Sequence, residues 1–437
     1  MKQKIKVLVA MSGGVDSSVA ALLMKRAGFQ VIGTFMKNWS DTKNDLGECT
    51  WKADRAMAMK IASKLEIPLI TLDFEKEYRG QVVDKMFKLY KKGITPNPDV
   101  DCNQKIKFPL LRKAAKKLGA EFVVTGHYAR IKKVHSSSSS RVGERLRGRD
   151  ELISSNSRAE SGVGRGTVQS VQTEYQLLRA KDESKDQSYF LYRLSQEDLK
   201  HSLFPMGDYT KIEVRKIARK NNFPNSDRKG TVGICFIGKV NLKKFLQARV
   251  PPKKGKILNP EGKQIGTHDG IYYYTIGQRI GPRFGIEIEK DSDNKKQLRR
   301  WYVARKNLRK NEIIAAPEGN ELLYRKEITI KKPHWIIPDK VKSIVNKKYR
   351  VSVVNSKSKS ANVVSLISGR ADGASSKNAI KVNARIRQVG ELLPAKLYFE
   401  KGKFKVTLNK TITGVSEGQA IVLYKGAVCL GGGVISF

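Results

Sequence analysis

A turn rich in glycine and serine near the start of the chain has the residue types that bind anions. Residues 5–18 read IKVLVAMSGGVDSS, in which an apolar run predicts a buried strand and small polar residues follow it. Gly13 and Gly14 let the backbone approach a ligand closely, and Asp16 can cap the next helix or help to hold a magnesium ion. Hydroxyl donors come from Ser12, Ser17 and Ser18. We therefore predict that the turn binds a phosphate chain; the alternative is a strand-to-helix turn without a ligand.

A thiol and a carboxylate lie together in a second polar stretch. Residues 93–108 read GITPNPDVDCNQKIKF, and their prolines and lack of periodicity predict a loop. Asp99 and Cys102 lie three residues apart beside Asn97. The carboxylate could hold a substrate group or move a proton near the thiol, although a single cysteine in a loop can equally be structural.

A second cysteine follows two glycines in the stretch 225–238, NSDRKGTVGICFIG. Cys235 is near Arg228 and Lys229, a basic setting that would lower the thiol pKa from its free value of about 8.5. The alternative is a buried structural cysteine between Ile234 and Phe236.

Strands that alternate with helices would position these stretches. After the first strand, helical spacing predicts helices at 19–27, 54–65 and 77–91, and apolar runs predict strands at 30–36, 69–74 and 121–125. This order predicts an α/β domain with a doubly wound parallel sheet, whose ligands bind at the carboxyl ends of the strands. Met36 to Trp39 and Thr125 to Arg130 follow two of these strands and should face the ligand, with edge packing as the alternative for Met36 and Trp39.

Composition divides the rest of the chain. Residues 135–173 form an insertion rich in serine and arginine, which we expect to be disordered at the tip of a hairpin; an RNA-grasping arm is the alternative. We assign 1–239 to the catalytic domain and 240–304 to a small central β-rich domain. The remainder, 305–437, is expected to form a β-barrel with a loop insertion at about 355–377. In the barrel, Arg385 and Arg387 should share one face, and Val382, Ala384 and Ile386 the other.

The charge and the cysteines limit the function. The 85 Lys and Arg residues outnumber 41 acids, giving a formal charge of +44, so nucleic acid is the leading partner; a lysine-rich proteome is the alternative cause. Four dispersed cysteines indicate a reducing compartment rather than a disulfide scaffold or a zinc site. No apolar stretch suggests a membrane span or signal peptide, so we expect an unprocessed cytoplasmic protein without a membrane partner.

Seven motifs then occur in the order found in the bacterial-type tRNA-specific 2-thiouridylases, a family that this chain resembles over nearly its whole length. They are SGGVDSS, GTFMKNW, NPDVDCNQKIKF, TGHYAR, KDQSYFL, GICFIG and YTIGQRIG. The resemblance implies a PP-loop fold of the adenine nucleotide alpha hydrolase type, followed by a small central domain and a C-terminal barrel that helps to hold tRNA.

The resemblance also implies the reaction, its cofactors and its partners. ATP, with Mg²⁺, activates the C2 oxygen of the wobble uridine in the anticodon arm of tRNA as an adenylate, and a persulfide sulfur replaces that oxygen to give 2-thiouridine. It implies an upstream persulfide sulfur carrier, a monomeric protein and no resident metal site. Cys235 matches the persulfide-bearing cysteine, Cys102 its nucleophilic partner and Asp99 the group that assists proton movement. The two cysteines can release sulfide or close a disulfide during turnover.

The binding residues follow from the same resemblance. ATP contacts are assigned to Ala10, Met11, Ser12, Gly13, Gly14, Val15, Asp16, Ser17, Met36 and Gly126. Contacts with the target base and with tRNA are assigned to Asn97, Pro98, Asp99, Lys185, Asp186, Gln187, Arg385 and Ile386. The chain departs from the family pattern where Ile386 replaces an aromatic residue. Two other functions remain open, namely an adenylating amidotransferase or synthetase and a basic RNA-binding protein without catalysis.

Overall fold

The computed structural model describes residues 4–41, 49–138, 170–228, 230, 235, 237, 241–281, 300–342, 351–353, 364–366, 379–388 and 390–437. The predicted insertions at 135–173 and 355–377 lie mostly outside the described residues, as do the arginines proposed for an RNA-grasping arm. Lys229, Ile234 and Phe236 beside Cys235 are also outside them.

The N-terminal part is built on a parallel sheet, as predicted. Its strands in chain order are β1 (Lys6–Ala10), β2 (Gln30–Lys37), β3 (Leu69–Asp73), β4 (Phe122–Val124), β5 (Ala129–Ser138), β6 (Ser170–Arg179) and β7 (Ser202–Leu203). Five of them form one sheet in the order β3-β2-β1-β4-β7, with every neighbouring pair parallel. Strands β2 and β3 are added on one side of β1, and β4 and β7 on the other, so the strand order switches between β1 and β4. The carboxyl ends of these two strands are therefore the expected ligand-binding edge.

Helices cover both faces of this sheet. They are α1 (Val15–Arg26), α2 (Thr50–Lys64), α3 (Glu75–Tyr78), α4 (Asp84–Lys91), α5 (Pro98–Cys102), α6 (Phe108–Lys117), α7 (Ser188–Leu191), α8 (Gln196–Lys200) and α9 (Lys211–Lys220). Two π-helical turns, Arg79–Val83 and Asn103–Lys107, join α3 to α4 and α5 to α6. The prediction of a loop over 93–108 is therefore wrong from residue 98 onward. Asn97 caps α5 through Val100 N–H, and Pro98 takes the first helical position, so both residues start a helix.

The hairpin of β5 and β6 links the N-terminal part to the C-terminal one. The two strands pair antiparallel from Ala129–Arg179 to Ser138–Ser170, which confirms the predicted hairpin. Strand β6 does not return to the first sheet, because Leu178 pairs with Val428 of the C-terminal part. The hairpin that follows β4 thus pairs with the C-terminal part of the molecule instead of with the first sheet.

A second sheet forms the central part. Helix α10 (Leu242–Gln247) precedes β8 (Gly255–Leu258), β9 (Gln264–His268), β10 (Arg279–Ile280), β11 (Trp301–Asn307) and β12 (Glu312–Pro317), which pair in the order β10-β11-β12-β8-β9. The sequence placed 312–315 in the C-terminal barrel, but β12 lies between β11 and β8. The domain boundaries at 239 and 304 stay predictions, and β11 and β12 extend the second sheet beyond 304.

The C-terminal part is a closed barrel. Its elements are β13 (Tyr324–Trp335), α11 (Asp339–Lys342), β14 (Val351–Val353), β15 (Val364–Leu366), β16 (Ile380–Arg385), β17 (Leu393–Glu400), β18 (Lys403–Thr413), β19 (Ala420–Lys425) and β20 (Val428–Ser436). Six strands pair in the order β13-β18-β17-β16-β19-β20, and β20 pairs back with β13. Val382, Ala384 and Ile386 face the barrel core, as predicted. The predicted α/β fold with two further β domains is confirmed.

Candidate active site

The turn between β1 and α1 is fixed by its own hydroxyls and by a distant asparagine. Ser17 Oγ donates to Gly14 O over 2.9 Å, and Ser12 N–H donates to Ser17 Oγ over 3.2 Å. Asn225 Nδ2 donates to Gly13 O over 2.9 Å. Gly13 has a φ of +75°, and a Cβ at this position would clash with the backbone of α2. Gly13 is therefore needed for the turn itself, while the peptide of Gly14 and the exposed Ser12 can face a ligand.

Asp16 does not cap α1, which is a correction to one of its two predicted roles. Gly14 is the N-cap residue of α1, and no side chain caps that end. The Asp16 carboxylate instead accepts hydrogen bonds from Tyr128 Oη at 2.8 Å and from Lys211 Nζ at 2.5 Å. Both partners come from later segments, so Asp16 ties the first turn of α1 to the segment after β4 and to α9.

The other residues with predicted ATP contacts surround the same edge. Gly126 follows β4 and lies against α1, where an added Cβ would be 2.8 Å from the Ser17 backbone nitrogen. Ala10 ends β1 and is half-buried. The side chains of Met11, Val15 and Met36 are buried in the hydrophobic core. These three residues can therefore offer a ligand only their backbone atoms.

The two candidate catalytic cysteines face each other. Cys102 ends α5 and is fully buried, while Cys235 is half-buried. The Cys102 thiol donates to Cys235 Sγ over 3.8 Å. The backbone of Cys235 is held on both sides, because its N–H donates to Asp99 Oδ1 over 2.8 Å and its C=O accepts from Tyr78 Oη over 2.5 Å. The structure thus brings together Asp99, Cys102 and Cys235, which are 136 residues apart at their widest.

A half-buried cation and a neutral imidazole complete this group. Lys107 Nζ lies 3.9 Å from Cys235 Sγ and 3.4 Å from His127 Nε2. The second ring nitrogen of His127 is 2.7 Å from Thr125 Oγ1. Burial, reinforced by the charge of Lys107, holds the pKa of His127 well below its usual value. The imidazole is therefore neutral at physiological pH.

The two thiols differ in acidity. Burial raises the pKa of Cys102 well above its usual value, and the neighbouring Cys235 sulfur raises it further. The pKa of Cys235 is lowered, first by the hydrogen bond from Cys102 and also by the charge of Lys107, which together outweigh desolvation. Of the two thiols, Cys235 therefore loses its proton more readily, and Cys102 keeps its proton. Of the two predicted basic neighbours, Arg228 binds Asp54 and Gly13 O instead, and Lys229 lies outside the described residues.

The residues with predicted tRNA contacts lie in different environments. Lys185 is exposed, and Gln187 exchanges hydrogen bonds with the backbone of Tyr128. Asp186 and Arg385 are 2% and 3% exposed and form an ion pair of 2.6 Å between the N-terminal part and the barrel. Arg387 is exposed and donates to Gly414 O, so it does not share the setting of Arg385.

Comparison with known proteins identifies the family. Residues 5–239 match the family model described as tRNA methyl transferase HUP domain, 243–317 match the tRNA methyl transferase PRC-barrel domain, and 360–435 match the aminomethyltransferase beta-barrel domain. The tRNA-specific 2-thiouridylase MnmA of Lacticaseibacillus paracasei is 36% identical over 99% of this chain and 94% of its own length. The chain belongs to the tRNA-specific 2-thiouridylase family. The family member from Bordetella avium is 35% identical over 100% of this chain and 99% of its own length. A solved NMN synthetase from Francisella tularensis aligns at 14% identity with a TM-score of 0.31, over 56% of this chain and 72% of that one.

Several site residues of this 2-thiouridylase family member were not singled out by the sequence. Cys235 is contacted by Tyr78 and Lys107, and Asp16 is contacted by Lys211. The residue types around these three positions did not predict the contacts. Lys107 lies within the quoted motif NPDVDCNQKIKF, but in so lysine-rich a chain its charge did not distinguish it. His127 lies in the stretch 125–130 that was expected to face the ligand, and it contacts the lysine beside the thiols.

Proposed function

We propose that the protein is a tRNA-uridine 2-sulfurtransferase that makes 2-thiouridine at the wobble position, with ATP and Mg²⁺ as cofactors. The observation that carries the proposal is the facing pair of Cys102 and Cys235, connected to the phosphate-binding turn by a short chain of contacts. Lys107 contacts Cys235 and His127. The neighbouring Gly126 packs against the first turn of α1. An adenylating turn and a sulfur-carrying pair thus lie side by side.

The chain's own groups fit an ATP phosphate chain. Among the described residues beyond its chain neighbours, only the Ser12 hydroxyl lies within 4 Å of a Cβ added at Gly14, and the 12-residue α1 begins at the next residue. Bound ATP would supply the activation of the uridine C2 oxygen as a leaving group. Asp16 is already neutralised by Lys211, and the described residues hold no cluster of three metal ligands. We therefore propose that Mg²⁺ enters as a partner of the ATP phosphates.

Sulfur transfer then falls to the two cysteines. The terminal sulfur of a Cys235 persulfide bonds to the activated C2 atom as the leaving group departs with its electron pair. Cys102 passes its thiol proton to Asp99, the group assigned to proton movement, and attacks Cys235 Sγ, so that a Cys102–Cys235 disulfide forms and the bond to the transferred sulfur breaks, leaving its electrons in the new thiocarbonyl. An external thiol reductant must then reduce the disulfide. In the alternative order, Cys102 attacks first and releases hydrosulfide, which becomes the nucleophile. The separation of 3.8 Å between the sulfurs supports both orders, because a small approach would close the bond.

Binding of tRNA is the remaining part of the proposal. Asn97, Pro98 and Asp99 are half-buried at the mouth of the thiol site, where an unstacked uridine could reach them. The exposed Lys185 and the charge of +44 favour contacts with the tRNA backbone. We further propose a monomeric, cytoplasmic protein that receives sulfur from a persulfide carrier. No described helix is both long and apolar enough to cross a bilayer.

The test is mass spectrometry of the wobble nucleoside after incubation with tRNA, ATP and a sulfur source. Wild-type protein should yield 2-thiouridine, and Cys102→Ser and Cys235→Ser should abolish it while tRNA binding persists. Cys49→Ser is the matched control, since the Cys49 thiol donates to Ser40 O away from the pair. Full thiolation by either site variant would refute the mechanism. An aminated product would instead indicate an amidotransferase, and tRNA binding without AMP release would indicate a non-catalytic RNA-binding protein.

A further inference from the structure

Lys107 occupies an unusual position for a lysine. It lies at the end of the π-helical turn Asn103–Lys107, between the helix that carries Cys102 and α6. Its ammonium nitrogen is 3.9 Å from Cys235 Sγ, within contact of the sulfur that would carry the persulfide. The Asp99 carboxylate, which accepts the backbone N–H of Cys235, also acts on the charge of this lysine. The positive charge therefore lies beside a sulfur atom and a carboxylate of the site.

His127 fixes this orientation through its tautomer. A lysine ammonium can only donate, so the Nε2 atom of His127, 3.4 Å away, must accept with its lone pair. The ring proton then lies on Nδ1 and is donated to Thr125 Oγ1 over 2.7 Å. The ring is buried and stacks on Phe108, with centroids 5.8 Å apart. Lys107 thus donates both to His127 and to the Cys235 sulfur, and His127 in turn donates to Thr125.

We propose that Lys107 is a further catalytic residue, whose ammonium group, oriented by neutral His127, holds the Cys235 sulfur as the thiolate that loads sulfur. This inference rests on the proposed sulfur transfer. In the loading step, the Cys235 thiolate bonds to the terminal sulfur of a donor persulfide. The donor's sulfur–sulfur bond breaks, and the donor leaves as a thiolate. No oxidant or reductant is consumed. An anion is needed at Cys235 before any tRNA or ATP takes part.

The ionisable groups around the sulfur agree with this assignment. Those that face Cys235 are Asp99, Cys102, Lys107 and Tyr78, with His127 behind the lysine. Desolvation opposes the charge on Lys107, but the nearby sulfur and carboxylate charges outweigh it and raise the lysine pKa. Burial raises the pKa of Tyr78 far above its usual value, so the phenol stays neutral. Among the described residues, Lys107 is thus the cation in direct contact with the sulfur, and it acts together with the hydrogen bond from Cys102, which is the larger cause of the lowered Cys235 pKa.

The test measures thiolate formation without tRNA or ATP. Reduced full-length protein is treated with iodoacetamide over a range of pH, and alkylation of Cys235 is followed by site-resolved mass spectrometry of its peptide. In Lys107→Met, the pH profile should move upward by about one unit, so that alkylation at neutral pH slows about tenfold. Lys107→Arg should recover most of the rate because it keeps the charge. Lys105→Met, two residues earlier on the same turn, is the matched control and should behave like wild type.

Each result decides the proposal. An unchanged pH profile in Lys107→Met, or an arginine variant as slow as the methionine variant, would overturn it. Circular dichroism checks folding, and Lys107→Gln replaces the methionine variant if that one does not fold. The same variants are then loaded with a small-molecule persulfide, and loading should slow in parallel with alkylation. If wild-type protein failed to thiolate tRNA but Lys107→Met still showed the shifted profile, the proposed function would fail while the role of Lys107 in ionising Cys235 would stand.

Discussion

The ion pair between Asp186 and Arg385 allows a quantitative test, because the family resemblance assigns both residues to tRNA whereas the fold buries them. Asp186 accepts hydrogen bonds from Ala180 N–H, Ser188 N–H and Ser188 Oγ, and Arg385 supplies its closest cation at 2.6 Å. Arg179 lies 3.8 Å away on the other side. Arg385→Met would remove the close cation and keep the apolar stem over the Tyr424 ring, whose centroid is 5.7 Å from the guanidinium.

The expected loss can be estimated from these contacts. Breaking a buried pair by removing one partner typically costs about 3–5 kcal/mol, because the other charge remains uncompensated. Since Arg179 and three hydrogen-bond donors remain on Asp186, we expect the lower end, about 3 kcal/mol, in the free energy of unfolding. Asp186→Asn in the Arg385→Met background should restore part of this loss, giving a coupling energy of about 2 kcal/mol in a double-mutant cycle.

The measurement is urea unfolding of the full chain, combined with tRNA binding at fixed salt. Arg387→Met is the matched control, because its exposed guanidinium donates to the Gly414 carbonyl and forms no ion pair with an acid of the described residues. If Arg385→Met lost less than about 0.5 kcal/mol of stability but weakened tRNA binding about tenfold, the reasoning would be refuted. Arg385 would then act on RNA rather than as the link between the barrel and the catalytic part.

Two further predictions concern the catalytic part. Gly126→Ala would place a Cβ within 2.9 Å of two backbone atoms at the start of α1, so we expect tRNA-dependent AMP release to fall at least about tenfold. Gly80→Ala is the control, because no atom of the described residues around it lies within 4 Å of an added Cβ. Equal AMP release by the two variants would contradict this account. The pKa of His127 is lowered by burial and by Lys107, so in acid the unfolded chain binds a proton that the native state does not bind. The free energy of unfolding should therefore fall as the pH drops below the pKa that His127 has in the unfolded chain. Between about pH 7.5 and about pH 5.5, the free energy of unfolding should fall by about 1.4 kcal/mol because of His127. Urea unfolding at several pH values measures this loss, and the free energy of unfolding of His127→Gln should depend less steeply on pH than that of wild type.

Much of the fold could be predicted from sequence because hydrophobic periodicity is local. The parallel sheet, the hairpin and the inward face of Val382 and Ala384 all follow from spacing that a few residues reveal. Strand β12 could not be assigned to the right sheet, because its pattern of small apolar residues fits either one. Its partners, β11 and β8, are chosen by tertiary packing rather than by its own sequence.

Some residues of the candidate site could likewise be predicted from the local sequence, and others could not. The glycine- and serine-rich turn and the two cysteines were singled out because their residue types are unusual where they occur. Lys107 was missed because the chain has 85 basic residues, so a lysine is conspicuous only once its contact with a sulfur is known. Arg385 was expected on an RNA-facing surface, since strand alternation gives a face but cannot say that another domain covers it.

The segment before Asn97 shows why a local pattern was insufficient there. Residues 93–97 have no regular structure of their own, but each of the other two parts of the molecule holds them. Thr275 of the central part lies 3.1 Å from Thr95 Oγ1. Gln419 of the barrel donates to the carbonyls of Thr95 and Pro96 over 3.1 and 2.9 Å. These contacts span 180 and 324 residues of sequence. Because Asn97 then caps the helix that carries Asp99 and Cys102, the position of the thiol pair depends on all three parts being packed together.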